Sequence, residues 1–175
     1  MKGDGVAELH PSVTAFYQQA KAYCQYIDAM KDGSDDRPFT HLLELLTNLA
    51  SSVLQLPADY EAVDVPEIPR INQDQWSEIA RAINSVAGKG IAKLMDYYIE
   101  GKDFDNMTRA DMLFDDLADI YRDLFDGIQY YQRNEQDDIG QAIWAWRWGY
   151  EHHWGEHMYT ALKTVHEIRY FMEMP

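Results

Sequence analysis

Apolar residues recur at steps of three and four along most of the chain, the spacing that places them on one face of an α-helix. The first stripe follows Pro11, a residue suited to the first turn of a helix, and it ends in the Gly-, Asp- and Pro-containing stretch 31–38. Its apolar members are Val13, Phe16, Tyr17, Ala20, Cys24 and Ile27. A second and more aliphatic stripe runs from Phe39 to Leu56, so we expect that helix to lie centrally. No stretch shows the alternation of apolar and polar residues that a strand requires.

Residues 57–72 interrupt the helical pattern with three prolines and with alternating acidic and apolar residues. We expect an extended surface loop there, held to the core by Val63, Val65 and Ile68. A connection of this length is unusual in a compact domain and can itself carry function. An anchored loop is the simpler interpretation.

The pattern resumes at Asn72, whose side chain can cap a helix together with Gln75 three residues later. Gly88 and Gly90 lie inside this third helical stretch and predict its end, because glycine weakens a helix interior. A short further helix is then expected from Ile91 to Ile99.

An Asp-rich helix follows at Leu113–Tyr131, and we expect it to start at a cap formed by Thr108 and Asp111. One face of this helix is apolar. Three carboxylates share a stripe beside that face: Asp116, Asp119 and Asp123. Three other charged residues point more directly away from it: Asp115, Arg122 and Asp126. Clustered carboxylates repel one another, so they need solvent, a basic partner such as Arg147 or Arg169, or a cation.

The stretch Asp138–Met172 contains no proline and predicts one long helix, which carries four of the five Trp and four of the six His. A projection at 100° per residue places six residues along the middle of its apolar arc: Trp144, Trp148, Gly155, Tyr159, Leu162 and His166. Glu151 falls inside the arc and can pair with Arg147 one turn earlier. Gly155 removes a side chain from the middle of this face, so we expect another helix to cross closely there.

His153 and His157 stand four residues apart, so their imidazoles can share one zinc-like ion. The HExxH motif is absent, and a third ligand would have to come from His41 or from an Asp of the preceding helix. Without a cation, the two histidines would be protonated beside the carboxylates, and the sequence favours that state. His166 is expected to be a hydrogen-bonded histidine of the core.

Composition narrows the possible partners and the cellular location. Thirty acidic against fifteen basic residues give a net charge of −15, which disfavours nucleic acid and anionic membrane as partners. The single Cys24 excludes an internal disulfide, and we expect it to be buried. No apolar run approaches 18 residues, and the N-terminus lacks a signal-peptide core, so a cytoplasmic protein is expected.

Two segments resemble a known family: DDLADIYRDLFDGI (Asp115–Ile128) and HWGEHMYTALKTVH (His153–His166). They are similar to the signature segments of a bacterial family, domain-of-unknown-function family 5063. The resemblance implies an all-helical fold and no established activity, so no catalytic residue can be carried over. The sequence departs from the family pattern at Phe125–Asp126, where a more polar or basic pair is expected. The resemblance singles out these positions: Asp116, Asp119, Asp123, His153, Trp154, Gly155, His157 and His166.

Together these patterns predict an all-α fold, an irregular antiparallel bundle of about five main helices plus a short one. A single domain spanning residues 1–175 is expected, with residues 1–10 as a flexible arm. The short connection between the last two long helices predicts that they pack antiparallel.

Three functions remain open on the sequence alone. The first is a binding or scaffold module whose Trp/His/Asp surface receives an unknown protein or small molecule. The second is a metal-dependent hydrolase with a divalent metal between the last two long helices. Some helical bundles bind metal through a histidine of the second helix; His41 lies early in its predicted helix, which counts against this likeness. The third is a structural subunit of a larger assembly, and the oligomeric state stays open. The candidate functional cluster is Asp116, Asp119, Asp123, Arg147, Glu151, His153, Trp154 and His157, with His153 and His157 as the candidate metal ligands.

Overall fold

The computed structural model describes residues 10–173, and every regular element in that range is helical. The α-helices are α1 Pro11–Ala29, α2 Pro38–Val53, α3 Gln73–Gly101, α4 Phe104–Asp111, α5 Leu113–Arg133, α6 Gln136–His152 and α7 Trp154–Met172, and a 3-10 helix, Met30–Asp32, follows α1. The predicted all-α class and helical bundle are confirmed. The predicted flexible arm lies outside the described residues except for His10, whose Nδ1 accepts a hydrogen bond from the backbone N–H of Ser12 and caps α1.

The Asp-rich helix α5 occupies the centre of the bundle and packs against α1, α3, α6 and α7. The hydroxyl of Tyr23 on α1 donates to the carbonyl of Leu117 at 2.8 Å, and the indole of Trp146 on α6 donates to that of Leu124 at 3.2 Å. Cys24 is buried beside them, as predicted. The aliphatic helix α2, predicted to be central, packs mainly on α1 and α7 instead.

Helix α3 runs without interruption through both glycines that predicted its end. A Cβ at Gly90 would overlap the Cγ2 of Ile168 on α7 and lie 2.9 Å from the Cζ of Phe39 on α2. Gly90 therefore allows neighbouring side chains to approach the helix closely rather than ending it. At the start of α3 the predicted capping box of Asn72 and Gln75 is confirmed.

The beginning of the Asp-rich helix also differs from the prediction. Asp103, not Thr108, caps a separate short helix, α4, and accepts a hydrogen bond from the backbone N–H of Asn106. Only Met112 separates α4 from α5. Thr108 uses its hydroxyl inside α4 to donate to the carbonyl of Phe104, so it is unavailable as a cap.

The predicted single helix over Asp138–Met172 is wrong, because the chain bends at His153 (φ −150°, ψ −83°) between α6 and α7. A projection through a continuous helix therefore assigns the wrong face. Trp146 and Trp154 are fully buried, whereas Trp148 is 49% exposed. Gly155 is the one residue of the predicted arc that is buried. The other members of the arc are half-buried or exposed: Trp144, Glu151, Tyr159, Leu162 and His166.

Helices α6 and α7 run back along α5, so the predicted antiparallel packing of this part of the chain is confirmed. Asn134 ends α5 in the left-handed conformation (φ 62°), and α6 begins two residues later. Arg133 pairs with Asp138 at 3.2 Å near this turn, and His157 on α7 lies 2.7 Å from Asp116 near the other end of α5. These two contacts, one near each end of α5, fix the positions of α6 and α7 along that helix.

Residues 57–72 form neither helix nor strand and are tied to the bundle from Val63 onward. Ile68 is buried, and Val63 and Val65 are half-buried. Arg133 donates to the carbonyl of Glu67 at 2.7 Å and Gln129 to that of Pro69 at 2.8 Å. The loop therefore lies along one flank of α5.

The helices carry their apolar residues on faces that pack against one another, as amphipathic helices do. Between residues 10 and 173, no helix combines the length and the apolar character needed to cross a membrane. The cytoplasmic location stays a prediction.

Candidate metal centre

Three side chains converge on the exposed side of the contact between α5 and α7. Asp119 of α5, His153 at the bend and His157 in the first turns of α7 each offer one ligand atom, and these atoms all lie within 4.8 Å of one another. Nε2 of His157 is 3.7 Å from Oδ2 of Asp119. The two imidazole rings are 4.8 Å apart between centroids and tilted by 70°. The structure thus brings the two predicted ligands together and places Asp119 of α5 beside them as the third candidate.

Each imidazole is held by a second carboxylate of α5. Nδ1 of His153 lies 2.7 Å from Oδ2 of Asp123, and Nδ1 of His157 lies 2.7 Å from Oδ1 of Asp116. Because Nδ1 of each ring is engaged, Nε2 is the nitrogen left for another partner. A carboxylate that accepts from one imidazole nitrogen while the other nitrogen binds a metal is the usual outer-shell arrangement of histidine ligands.

Helical periodicity explains why the three carboxylates act together. Asp116, Asp119 and Asp123 occupy positions i, i+3 and i+7, which share one stripe of α5, as predicted. The antiparallel course of α6 and α7 places His153 beside Asp123 and His157 beside Asp116. The side chains of Asp116, Asp119 and Asp123 are 5%, 13% and 24% exposed, so the stripe passes from the core towards solvent.

The innermost carboxylate of the stripe is strongly affected by its surroundings. Burial raises the pKa of Asp116 to about 6, and its hydrogen bond with His157 opposes that rise. Oδ1 of Asp116 faces His157, whereas the enclosed Oδ2 has no hydrogen-bond partner in the described part of the chain. Within the described residues, the imidazole of His157 is therefore the hydrogen-bond partner of this carboxylate.

Asp126 was predicted to point away from the core, and this prediction is wrong. Its side chain is half-buried, its Oδ1 has no hydrogen-bond partner among residues 10–173, and burial raises its pKa to about 6. The loop 57–72 lies along this flank, where the positive charge of Arg70 partly offsets the rise. The helix face predicted to be open is covered by a segment that is distant in sequence.

Asp119 is oriented by two donors that bind the same oxygen. The indole nitrogen of Trp76 on α3 lies 2.9 Å from Oδ1, and Nη2 of Arg122 lies 2.8 Å from it. Arg122, predicted to point away from the apolar face, folds back one turn to pair with Asp119. Sequence reasoning did not place Trp76 at the site, because the contact depends on how α3 packs against α5.

Several other candidate residues lie elsewhere. His41 lies outside the converging group, and its Nδ1 is 2.7 Å from Oδ2 of Asp35. Arg147 pairs with Glu151 at 3.1 Å, which confirms that predicted pair, and it also donates to the carbonyl of Leu56. Within residues 10–173, the partners of Arg147 are thus Glu151 and Leu56 rather than a carboxylate of α5. Arg169 likewise bonds the hydroxyl of Thr40 rather than an Asp of the stripe.

The remaining positions singled out by the family resemblance have structural or surface roles. Trp154 is buried, and its indole donates to the carbonyl of Trp146 at 3.0 Å. A Cβ at Gly155 would overlap the carbonyl oxygen of Tyr150, so the predicted close approach exists, but its partner is the end of α6 rather than a crossing helix. His166 is exposed and lines a cleft of about 510 Å³, so it is not a core histidine.

An exposed aromatic ladder runs along the outer face of α6. The rings of Trp144 and Trp148 are stacked with centroids 5.8 Å apart, and those of Trp148 and His152 are stacked at 4.7 Å. The spacing i, i+4, i+8 keeps these three residues on one strip of the helix. This ladder, rather than a buried arc, is the Trp/His surface of the protein.

Comparison with known proteins identifies the family. No curated protein matches the chain. Protein BF1032 from Bacteroides fragilis has a similar crystal structure, with a TM-score of 0.73 and 16% sequence identity over 91% of this chain and 93% of that one. That likeness concerns the fold. The family model described as "Domain of unknown function (DUF5063)" matches residues 7–171, so the chain belongs to this family, as the segments Asp115–Ile128 and His153–His166 predicted.

Proposed function

We propose that this protein binds one divalent transition-metal ion through Oδ2 of Asp119 and Nε2 of His153 and His157. One observation carries the proposal: carboxylates hold both Nδ1 atoms, while a third carboxylate, that of Asp119, offers a ligand atom within 4.8 Å of one from each imidazole. Histidine ligands commonly donate their second nitrogen to a carboxylate, which fixes the ring and raises its basicity. The arrangement therefore supplies both the ligands and the groups that orient them.

The distances are compatible with a metal of the size of zinc. Zinc bonds of about 2.0–2.2 Å place the ligand atoms of a tetrahedral site about 3.3–3.5 Å apart. One ligand atom from each of the three residues lies within 4.8 Å of the others, and Nε2 of His157 is 3.7 Å from Oδ2 of Asp119, so side-chain rotations would be needed to close the site around a metal. The sequence alone favoured protonated histidines, and the convergence of three ligand atoms is what supports a metal instead.

A metal-dependent hydrolase is the second candidate function. Three protein ligands leave a coordination position for water, which distinguishes catalytic zinc sites from the four-ligand structural sites. The side chain of His153 is 38% exposed, so water can reach this side of the cluster. A zinc-bound water reaches a pKa of about 7 in such sites, which makes it a nucleophile near neutral pH.

The predicted binding or scaffold module has separate support in the aromatic ladder. Trp148 is 49% exposed, and tryptophan is enriched among residues that dominate protein interfaces. This role does not compete with metal binding, because the ladder lies on α6 and the ligands lie at the bend and on α5 and α7. Sedimentation velocity of the wild type and of Trp148→Ala would test whether a second copy of the chain is the partner.

Metal binding can be tested directly with the purified protein. We expect elemental analysis of protein purified without an affinity tag or chelator to find up to one transition metal per chain. Titration of metal-free protein with zinc chloride in a calorimeter should then give one site. When the free zinc concentration is about 100 times Kd, binding to the folded state alone should raise the free energy of unfolding by about 2.7 kcal/mol. This corresponds to a rise in Tm of about 5–10 °C.

Two histidine variants on the same helix provide the comparison. His157→Gln should lose zinc binding and the rise in Tm, whereas His166→Gln, exposed on α7 and outside the cluster, should retain both. Wild-type protein without saturable zinc binding would contradict the proposal. So would equal zinc affinity in His157→Gln and the wild type.

A further inference from the structure

Resting on the proposed metal site, we infer that Trp76 positions Asp119 as a one-oxygen ligand and thereby makes the site selective for nitrogen-preferring transition metals over Mg²⁺ and Ca²⁺. Trp76 belongs to α3, outside the helices that carry the ligands. Its indole N–H and the guanidinium of Arg122 both bind Oδ1 of Asp119.

The engagement of Oδ1 determines how Asp119 can meet a metal. With two donors at 2.9 and 2.8 Å, Oδ1 is already satisfied, and Oδ2 is the oxygen that lies near His157. A bidentate carboxylate would have to give up both donors. Trp76 is half-buried, and an indole N–H without an acceptor there would be costly. Asp119 is therefore a one-oxygen ligand.

The remaining carboxylates do not add oxygen ligands. Asp123 and Asp116 each use one oxygen to hold an imidazole, Oδ2 of Asp116 is enclosed by protein, and neither residue belongs to the group of converging ligand atoms. The cluster therefore presents two nitrogens and one oxygen. Ca²⁺ takes six to eight oxygen ligands, and Mg²⁺ takes an octahedral oxygen shell, whereas imidazole suits Zn²⁺, Cu²⁺, Ni²⁺ and Fe²⁺. The donor set excludes good sites for the hard cations.

The indole N–H can be removed while an aromatic ring is kept in its place. Trp76→Phe retains an aromatic ring against α5 and deletes the donor, and Arg122→Gln removes the charged donor from the same oxygen. Trp148→Phe is the matched control, because this exposed Trp lies on the outer face of α6. Circular dichroism and thermal denaturation of the metal-free variants would establish that each is folded.

Zinc affinity measured by competition with a chromophoric chelator tests the role of Trp76. Loss of an outer-shell partner lowers metal affinity by about 10–100-fold, so we expect that decrease in Trp76→Phe, a decrease in Arg122→Gln, and none in Trp148→Phe. The visible spectrum of Co²⁺ bound to Trp76→Phe should also differ from that of the wild type, because the coordination of Asp119 changes. A merely structural role of Trp76 would leave that spectrum unchanged.

The possible outcomes separate this inference from the proposed function. If the wild type binds Zn²⁺ and Trp76→Phe binds it equally tightly with the same Co²⁺ spectrum, Trp76 does not position Asp119, although the metal site stands. If millimolar Mg²⁺ or Ca²⁺ displaces Zn²⁺ from the wild type, the inferred selectivity is wrong. If the wild type binds no Zn²⁺ or Co²⁺, the proposed function fails and this inference fails with it.

Discussion

The indole nitrogen of Trp154 donates a hydrogen bond to the backbone carbonyl of Trp146 across the bend between α6 and α7, at 3.0 Å. Trp146 donates in turn to the carbonyl of Leu124 on α5 at 3.2 Å. Both indoles are fully buried, so the bend is fixed to the central helix from inside the protein. His153 is the residue at the bend, and its position next to Asp123 follows from this packing.

Trp146 should contribute far more to stability than Trp148. Trp146→Ala removes a fully buried side chain and its hydrogen bond, and we expect the free energy of unfolding to fall by about 3–5 kcal/mol. Trp148→Ala, at a 49% exposed position, should change it by about 0.5 kcal/mol. Urea denaturation would measure both values. Equal losses would mean that the two side chains are buried to a similar extent.

Gly155→Ala should destabilise the protein by about 1–3 kcal/mol through overpacking. The added methyl would overlap the carbonyl oxygen of Tyr150 and lie 3.1 Å from its carbonyl carbon, so the backbone at the bend would have to shift. Gly101→Ala is the control: its added methyl would meet no described atom within 4 Å beyond its own stretch of helix, and we expect a gain of about 0.5–1 kcal/mol. A higher denaturation midpoint in Gly155→Ala would contradict the close approach at the bend.

Asp126 should make stability depend on pH in a defined direction. Burial raises its pKa to about 6, so the folded state binds the proton more tightly than the unfolded state does. The resulting stabilisation is fully present below the ordinary pKa of 3.8 and is lost as pH rises through about 6. Asp126→Asn removes this dependence and should stabilise the protein at pH 7 by about 1 kcal/mol, after allowance for solvent screening.

The comparison for Asp126 requires unfolding measurements between pH 4 and 8. The pKa of Asp116 is also raised to about 6, so the difference between the wild type and Asp126→Asn is the informative quantity. Nearby Arg70, Arg122 and Asp123 are unchanged in both proteins. Asp137→Asn, exposed on α6, controls for the loss of one negative charge. A difference that stays constant across this pH range would refute the assignment.

Glu173 is expected to stabilise the start of α2 from the other end of the chain. Its carboxylate accepts hydrogen bonds from the backbone N–H groups of Phe39 and Thr40 at 2.8 and 3.0 Å. An acidic group at a helix N-terminus satisfies free N–H groups and interacts favourably with the helix dipole. Glu173→Ala should therefore lower the free energy of unfolding by about 1–2 kcal/mol, and Glu78→Ala, exposed on α3, by much less. Similar losses in the two variants would show that Glu173 does not act as a cap.

Local signals in the sequence account for the parts of the fold that were predicted correctly. The capping box of Asn72 and Gln75 and the Asp stripe of α5 depend on residues within two helical turns. The bend at His153 has no comparable signal, since neither proline nor glycine occupies it, and missing it shifted the predicted buried face from Trp146 to Trp148. The contact between Trp76 and Asp119 joins residues 43 positions apart, so it depends on the packing of α3 against α5, which no local pattern determines.

The loop 57–72 is attached from Val63 onward, where the backbone N–H donates to the side chain of Gln141, and residues 58–62 before that point are exposed. Limited proteolysis should therefore cut the native chain in this short segment. The two fragments should stay together, because α1 packs on α5 and α2 packs on α7. Every residue of the proposed metal site, from Trp76 to His157, lies in the larger fragment. We therefore expect the first two helices to be a separable support for the proposed metal site, and mixing two separately expressed fragments should restore the protein.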